Sequence, residues 1–292
     1  MESVTIEILP PPINWSQERI TKYCQKVAEL LRKLDILIVD IPEVVNETRN
    51  GRRRDFVPKM DNFHFASLLK HYHHDIIVIL CKICVLIDKQ SFEEWVAQVY
   101  QKGIRHLVLV GGESPNIQYP GYTVLEATRF IKQRYPQIKL GGITIFTRDD
   151  EVERIQKKMD AGMEFFYSQI IFEAANGKQI LLNLSKECKK KEISMPKIYL
   201  SIAIASKSKD IEFMKWLGVE FPSAVYSHLA KESNGDEVSR SKEVVDMMLD
   251  EIFHFTNKEK IDVGFNIEHV MYMNLYLIQQ VYKDVKRRIA EA

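Results

Sequence analysis

Residues 91–113 read SFEEWVAQVYQKGIRHLVLVGGE, from Ser91 to Glu113. Phe92, Trp95, Val96, Val99 and Tyr100 recur at three- and four-residue spacing, which predicts a helix over Ser91–Lys102 with one apolar face. Gly103 ends it, as glycine does just past a helix C-terminus. His106–Val110 is then a short apolar run that reads as a buried strand, stopped by Gly111-Gly112. One helix and one strand in about 20 residues is the repeating unit of a parallel sheet, whose strands need crossover connections.

The same unit recurs in both directions. Upstream, strands are predicted at Val4–Leu9, Asp35–Ile41 and Ile76–Leu80, with helices at Ser16–Arg32 and near Asn62–His71. Downstream, strands are predicted at Lys139–Ile145, Phe165–Ile171, Lys197–Ile204 and Ile261–Asn266. Their helices fall near Tyr122–Tyr135, Asp149–Ala161, Gly177–Lys191, Lys207–Leu217, Ser239–Thr256 and Met271–Ile289, and residues 222–238 read as less regular. Eight strand–helix units predict an α/β fold of the (β/α)₈ TIM-barrel type, one domain over residues 1–292. An open doubly wound sheet is the alternative; no GxGxxG follows the first strand to favour it.

Composition bounds the partners. Hydrophobic residues make up 46%, enough for a large core, and the net charge of +1 gives no reason to expect nucleic acid or an anionic membrane. No apolar run reaches the roughly 18 residues of a spanning helix. MESVTIEILPPP lacks the order of a signal peptide, and four cysteines do not make a disulfide framework. A cytoplasmic protein is the expectation.

In such barrels the active site lies at the C-terminal strand ends. There the sequence places Glu7, Asp40, Cys81-Lys82, Gly111-Gly112-Glu113, Thr144, Ser168-Gln169, Glu173, Asn266 and Glu268. Glu7 stands among Ile6, Ile8 and Leu9; burial there would raise its pKa and suit it to donate a proton. An exposed face alternating Thr5 and Glu7 explains the same letters. Gly111-Gly112 lets a backbone approach a ligand, or simply makes a turn. Cys81-x-x-Cys84 has no second pair to complete a metal site, so it reads as two small apolar residues and no metal is expected. His71-Tyr72-His73-His74 precedes a strand and reads as a solvated loop. The run Arg49–Arg54 either meets an anionic ligand tail or is solvated. Lys189-Lys190-Lys191 complements a helix dipole.

Together these segments resemble the methylenetetrahydrofolate reductase family, from Ile6 to about Asn266. Ile6-Glu7-Ile8-Leu9-Pro10-Pro11 is similar to the family's opening Phe-Glu-Phe-Phe-Pro-Pro strand. Gly103-Ile104-Arg105-His106 and Val110-Gly111-Gly112-Glu113 resemble its Gly-Ile-Arg-His segment and Leu-Arg-Gly-Asp loop. Lys157-Lys158-Met159-Asp160-Ala161-Gly162 with Ser168-Gln169-Ile170-Ile171-Phe172-Glu173 resembles its most specific signature. The resemblance implies a tetrahydrofolate derivative as ligand, Glu7 as the general acid and Glu113 as the carboxylate beside the pterin. It implies Gln169 as the pterin's hydrogen-bond partner, with Gly111, Gly112, Asp40 and Asn266 around the substrate.

Departures fall on the flavin side. Gly111 stands where the family has Arg, Val78-Ile79 where it has His, and Ile143–Arg148 replaces a Tyr-Pro-Glu-x-His-Pro stretch. Only Tyr122, Glu151 and Lys158 match flavin-binding positions, so FAD is expected to be weakly bound, supplied by a partner, or absent. Two functions follow from the resemblance. One is an enzyme of one-carbon metabolism that interconverts methylene- and methyltetrahydrofolate. The other is a non-reducing folate-binding protein that presents methyltetrahydrofolate to a methyl-transfer partner. An electron-donor or methyl-transfer protein is an expected partner, and a homo-oligomer is compatible with either.

Overall fold

The structure, a computed structural model, describes residues 3–46, 51, 55–114, 116–231 and 235–291. The arginines of the Arg49–Arg54 run lie outside the described residues. The strands are β1 (Val4–Glu7), β2 (Ile38–Ile41), β3 (Ile77–Ile83), β4 (His106–Val110), β5 (Lys139–Thr144), β6 (Phe165–Ser168), β7 (Lys197–Ala203) and β8 (Val263–Glu268). They are arranged in sequence order as a closed barrel. The helices are α1 (Gln17–Lys33), α2 (Asn62–Tyr72), α3 (Lys89–Gln101), α4 (Val124–Arg134), α5 (Glu151–Ala161), α6 (Ala175–Lys190), α7 (Ser208–Trp216), α8 (Ser223–Leu229), α9 (Glu237–Glu259) and α10 (Ile278–Glu291). The expected (β/α)₈ fold is what the chain forms. No helix among the described residues is long and apolar enough to cross a membrane.

Two compact units make up the chain: Thr5–Ile143 with Lys157–Glu164, and Met1–Val4, Thr144–Gln156 and Phe165–Ala292. In the first, β1 to β5 are parallel, with Ile6 beside Val39, Asp40 beside Ile79, Ile79 beside His106 and Val108 beside Gly141. The apolar spacing of α3 buries Phe92, Val96 and Val99 completely, while Trp95 and Tyr100 are half-buried. Burying one such side chain stabilises the fold by roughly 2–3 kcal/mol. The helix starts at Lys89, two residues before Ser91, because the Asp88 carboxylate accepts the Ser91 N–H at 3.0 Å. It stops at Gly103, whose φ of +79° favours glycine.

In the second unit, β6, β7 and β8 are parallel. Phe165, Tyr167 and Tyr199 form an edge-to-face group, with Tyr167 and Tyr199 centroids 5.1 Å apart. Here α6 begins at Ala175 rather than Gly177, because the Glu173 carboxylate accepts the N–H groups of Ala175 and Asn176 at 3.2 and 3.3 Å. Within the stretch that reads as less regular, Ser223–Leu229 form a helix. Pro222 opens α8, whose Leu229, Val225 and Tyr226 pack into an apolar cluster with Phe172, Ile211, Met214 and Val219. Tertiary burial supplies what local pattern lacks.

Candidate functional site

In the first unit, β1 ends in Glu7, half-buried between the fully buried Ile6 and Ile8. Its register partner is Asp40, 2% exposed, so two carboxyl residues share one rung at the C-terminal ends of β1 and β2. The Cys81 thiol lies 4.0 Å from Asp40 Oδ2. Asn62 fastens these strand ends, its Nδ2 donating to the carbonyls of Ile41 at 3.1 Å and Cys81 at 2.7 Å. Cys81 and Cys84 are both buried free thiols, and burial pushes Cys84 up to about 12. His73 departs from the solvated-loop expectation: it is 8% exposed and burial lowers its pKa, whereas His74 is solvated beside Asp75. No group of three or more His, Cys, Asp or Glu that could hold a metal occurs among the described residues.

The loop after β4 is held by Tyr119, which the sequence reading passed over. A β-carbon on Gly112 would lie 2.3 Å from Cε2 of that ring. The Tyr119 hydroxyl accepts the N–H groups of Glu113 at 3.0 Å and Ser114 at 3.4 Å. Gly112 therefore admits a ring of its own chain. Gly121 is fixed on the β3–α3 turn, its N–H donating to Val85 at 3.0 Å. Glu113 is thereby tied through its N–H to Tyr119, beside Gly111. The Tyr-Pro-Gly letters at 119–121 were the available signal, a turn with an aromatic at its start.

The flavin-side residues have partners of their own. Tyr122 donates its hydroxyl to Glu93 at 2.6 Å and stacks on Phe130 at 5.8 Å. Lys158 donates to the Ile143 carbonyl at 2.6 Å. In the second unit, Glu151 is fully buried at the start of α5, with Arg148 Nη1 3.7 Å away. A flavin diphosphate needs fixed positive charge or converging N–H groups. Lys158 gives an N–H to a carbonyl, and the converging N–H groups of Glu113 and Ser114 are donated to Tyr119.

In the second unit, Gln169 follows β6. Its N–H donates to Thr144 at 2.9 Å and its side-chain Nε2 to the Leu217 carbonyl at 3.2 Å, and it lines a cleft with Ile145, Phe146 and Phe172. Asn266 is buried on β8, its Nδ2 3.4 Å from both Ser201 Oγ on β7 and Glu268 Oε1. Burial pushes Glu268 up to about 7, against hydrogen bonds from Ser201 and Asn266 that pull it down. Burial also drives His269 down to about 4, against a bond to the Met271 carbonyl. Ser201, a small polar residue inside an apolar strand, was legible as an exception to the pattern and was missed.

The sequence matches the family of mycobacterial methylenetetrahydrofolate reductases over residues 1–274. No curated protein matches it. Among solved structures, an uncharacterised Clostridium thermocellum protein that binds two copies of 5-methyl-5,6,7,8-tetrahydrofolic acid is similar with a TM-score of 0.80 and 22% identity, over 97% of this chain and 95% of that one. A riboflavin lyase with modified FMN and riboflavin has a TM-score of 0.56 and 10% identity, over 99% and 91% of the two chains. DmoA from Hyphomicrobium sulfonivorans has a TM-score of 0.54 and 9% identity, over 96% and 86%. At these identities the structures share the fold. The family match extends over almost the whole sequence, and the chain belongs to the mycobacterial methylenetetrahydrofolate reductase family.

Proposed function

We propose that this chain binds a reduced folate at the C-terminal ends of its barrel strands and interconverts 5,10-methylene- and 5-methyltetrahydrofolate in one-carbon metabolism. The family match over residues 1–274 carries the reading. The 5-methyltetrahydrofolate bound by the Clostridium thermocellum protein supports the ligand class. In this reading Glu7 donates a proton to N10, the N10–methylene bond breaks, and the 5-iminium carbon takes a hydride to become the methyl group. Carboxylates beside the developing cation stabilise it. Glu113 and Asp40 supply that charge, Gln169 and Asn266 hydrogen-bond the pterin, and Gly111 and Gly112 shape the loop. The hydride comes from a dissociable donor or a protein partner.

The second reading is a folate carrier for a methyl-transfer partner. The engagement of Tyr122 by Glu93 and of Lys158 by Ile143 favours it over resident flavin chemistry. One experiment separates the two. The purified protein is scanned for a 450-nm band, titrated with 5-methyltetrahydrofolate by calorimetry, and assayed for methyl formation with reduced nicotinamide and with reduced flavin. Binding with turnover supports the reductase, and binding with no turnover supports the carrier. No binding of either folate overturns both.

A further inference from the structure

On β8, Phe265 stacks on Phe253 of α9 with centroids 5.0 Å apart, so Phe265 faces the helix. Strand side chains alternate, so Gly264, Asn266 and Glu268 face the other way. Their register partners on β7 are Tyr199, Ser201 and Ala203. The Tyr199 ring lies against Gly264, 2.5 Å from where a β-carbon would stand. Read toward the strand ends, this face passes from an aromatic floor of Phe165, Tyr167 and Tyr199 to a hydroxyl–amide pair, then to a carboxyl beside the methyl of Ala203.

The carboxyl at the top takes a hydrogen bond from Ser201 and a long one, 3.4 Å, from Asn266 Nδ2, and no lysine or arginine among the described residues offsets the burial of Glu268. An ionised carboxylate accepts about four hydrogen bonds. A buried one calls for parallel N–H donors on a flat partner. An exocyclic amine beside a ring N–H has that form.

We propose that Glu268, framed by Ser201 and Asn266, is the carboxylate that accepts the paired N–H edge of the ligand's 2-amino-4-oxo ring. The inference rests on the folate reading above and gives the pterin a recognition residue beyond those drawn from the family resemblance. Burial that leaves Glu268 near neutrality in the free protein supports it, because N–H donors favour the ionised form and repay its desolvation.

The test compares 5-methyltetrahydrofolate with its 2-desamino-2-methyl analogue by calorimetry. The wild-type protein is expected to bind the analogue about tenfold to a hundredfold more weakly, the loss of one hydrogen bond to a charged group. Glu268→Gln is expected to bring that ratio near one, and Glu268→Asp to retain part of it. A wild-type protein that binds both ligands equally overturns the inference and leaves the folate reading standing. So does a Glu268→Gln variant with the wild-type ratio. A wild-type protein that binds neither overturns the folate reading and the inference with it. Should the Gln variant fail to fold, the wild-type ratio and the Asp variant decide.

Discussion

Tyr119 stands on Gly112: the ring occupies the space a β-carbon there would need, 2.3 Å from Cε2, while its hydroxyl accepts the next N–H at 3.0 Å. The first prediction follows from that contact. Gly112→Ala must expel the ring and orphan two backbone donors, a loss of about 1–3 kcal/mol in denaturant unfolding. Gly112→Ala combined with Tyr119→Ala is expected to cost less than the sum of the two single changes. Strict additivity would show that the ring and the glycine are not coupled.

Glu7→Gln tests the acid. If Glu7 protonates N10, the variant keeps a similar volume and loses the proton, so methyl formation falls by about 10²–10⁴-fold. Affinity for 5-methyltetrahydrofolate, which needs no proton, is expected to change far less. A single-turnover assay with separate calorimetry reads both. A variant that turns over normally removes Glu7 from the chemistry.

Gln169→Leu removes a side chain whose Nε2 donates to the Leu217 carbonyl at 3.2 Å. A reduced folate is expected to bind about 1–3 kcal/mol more weakly, because pterin donors and acceptors lose a partner. Unchanged affinity in a folded variant, checked by circular dichroism, would confine Gln169 to a structural role.

The neighbours Glu268 and His269 oppose each other in their effect on stability with pH. Burial raises Glu268 from 4.5 to about 7, so its contribution is full below pH 4.5 and is lost as pH rises through 7. Burial lowers His269 from 6.5 to about 4, so its contribution is full above pH 6.5 and is lost as pH falls through 4. Between about pH 4.5 and 6.5 the two slopes, each about 1.4 kcal/mol per pH unit at most, cancel. Glu268→Gln removes one of them. Relative to wild type, the variant is expected to gain stability steadily as pH rises through this window, read by urea unfolding at three pH values. A constant difference between the two proteins would show that Glu268 titrates normally.

What the sequence determined by itself is the architecture. Short apolar runs and period-3.6 patterns alternate eight times, and helices such as α3 bury the predicted Phe92, Val96 and Val99 because that spacing leaves no other apolar face. The family was legible in short motifs around Glu7, Glu113 and Gln169, since those letters lie at strand ends whatever the packing. Only tertiary structure decided the rest. Helix α8 exists because Leu229 and Tyr226 find an apolar cluster built from residues up to about 60 positions earlier in the chain. Gly112 serves Tyr119, seven residues on, through a ring contact that no spacing rule encodes. The raised pKa of Glu268 arises from burial, opposed by a hydrogen bond from Ser201, 67 positions away in sequence, and both are set by what the fold brings together rather than by the letters on either side.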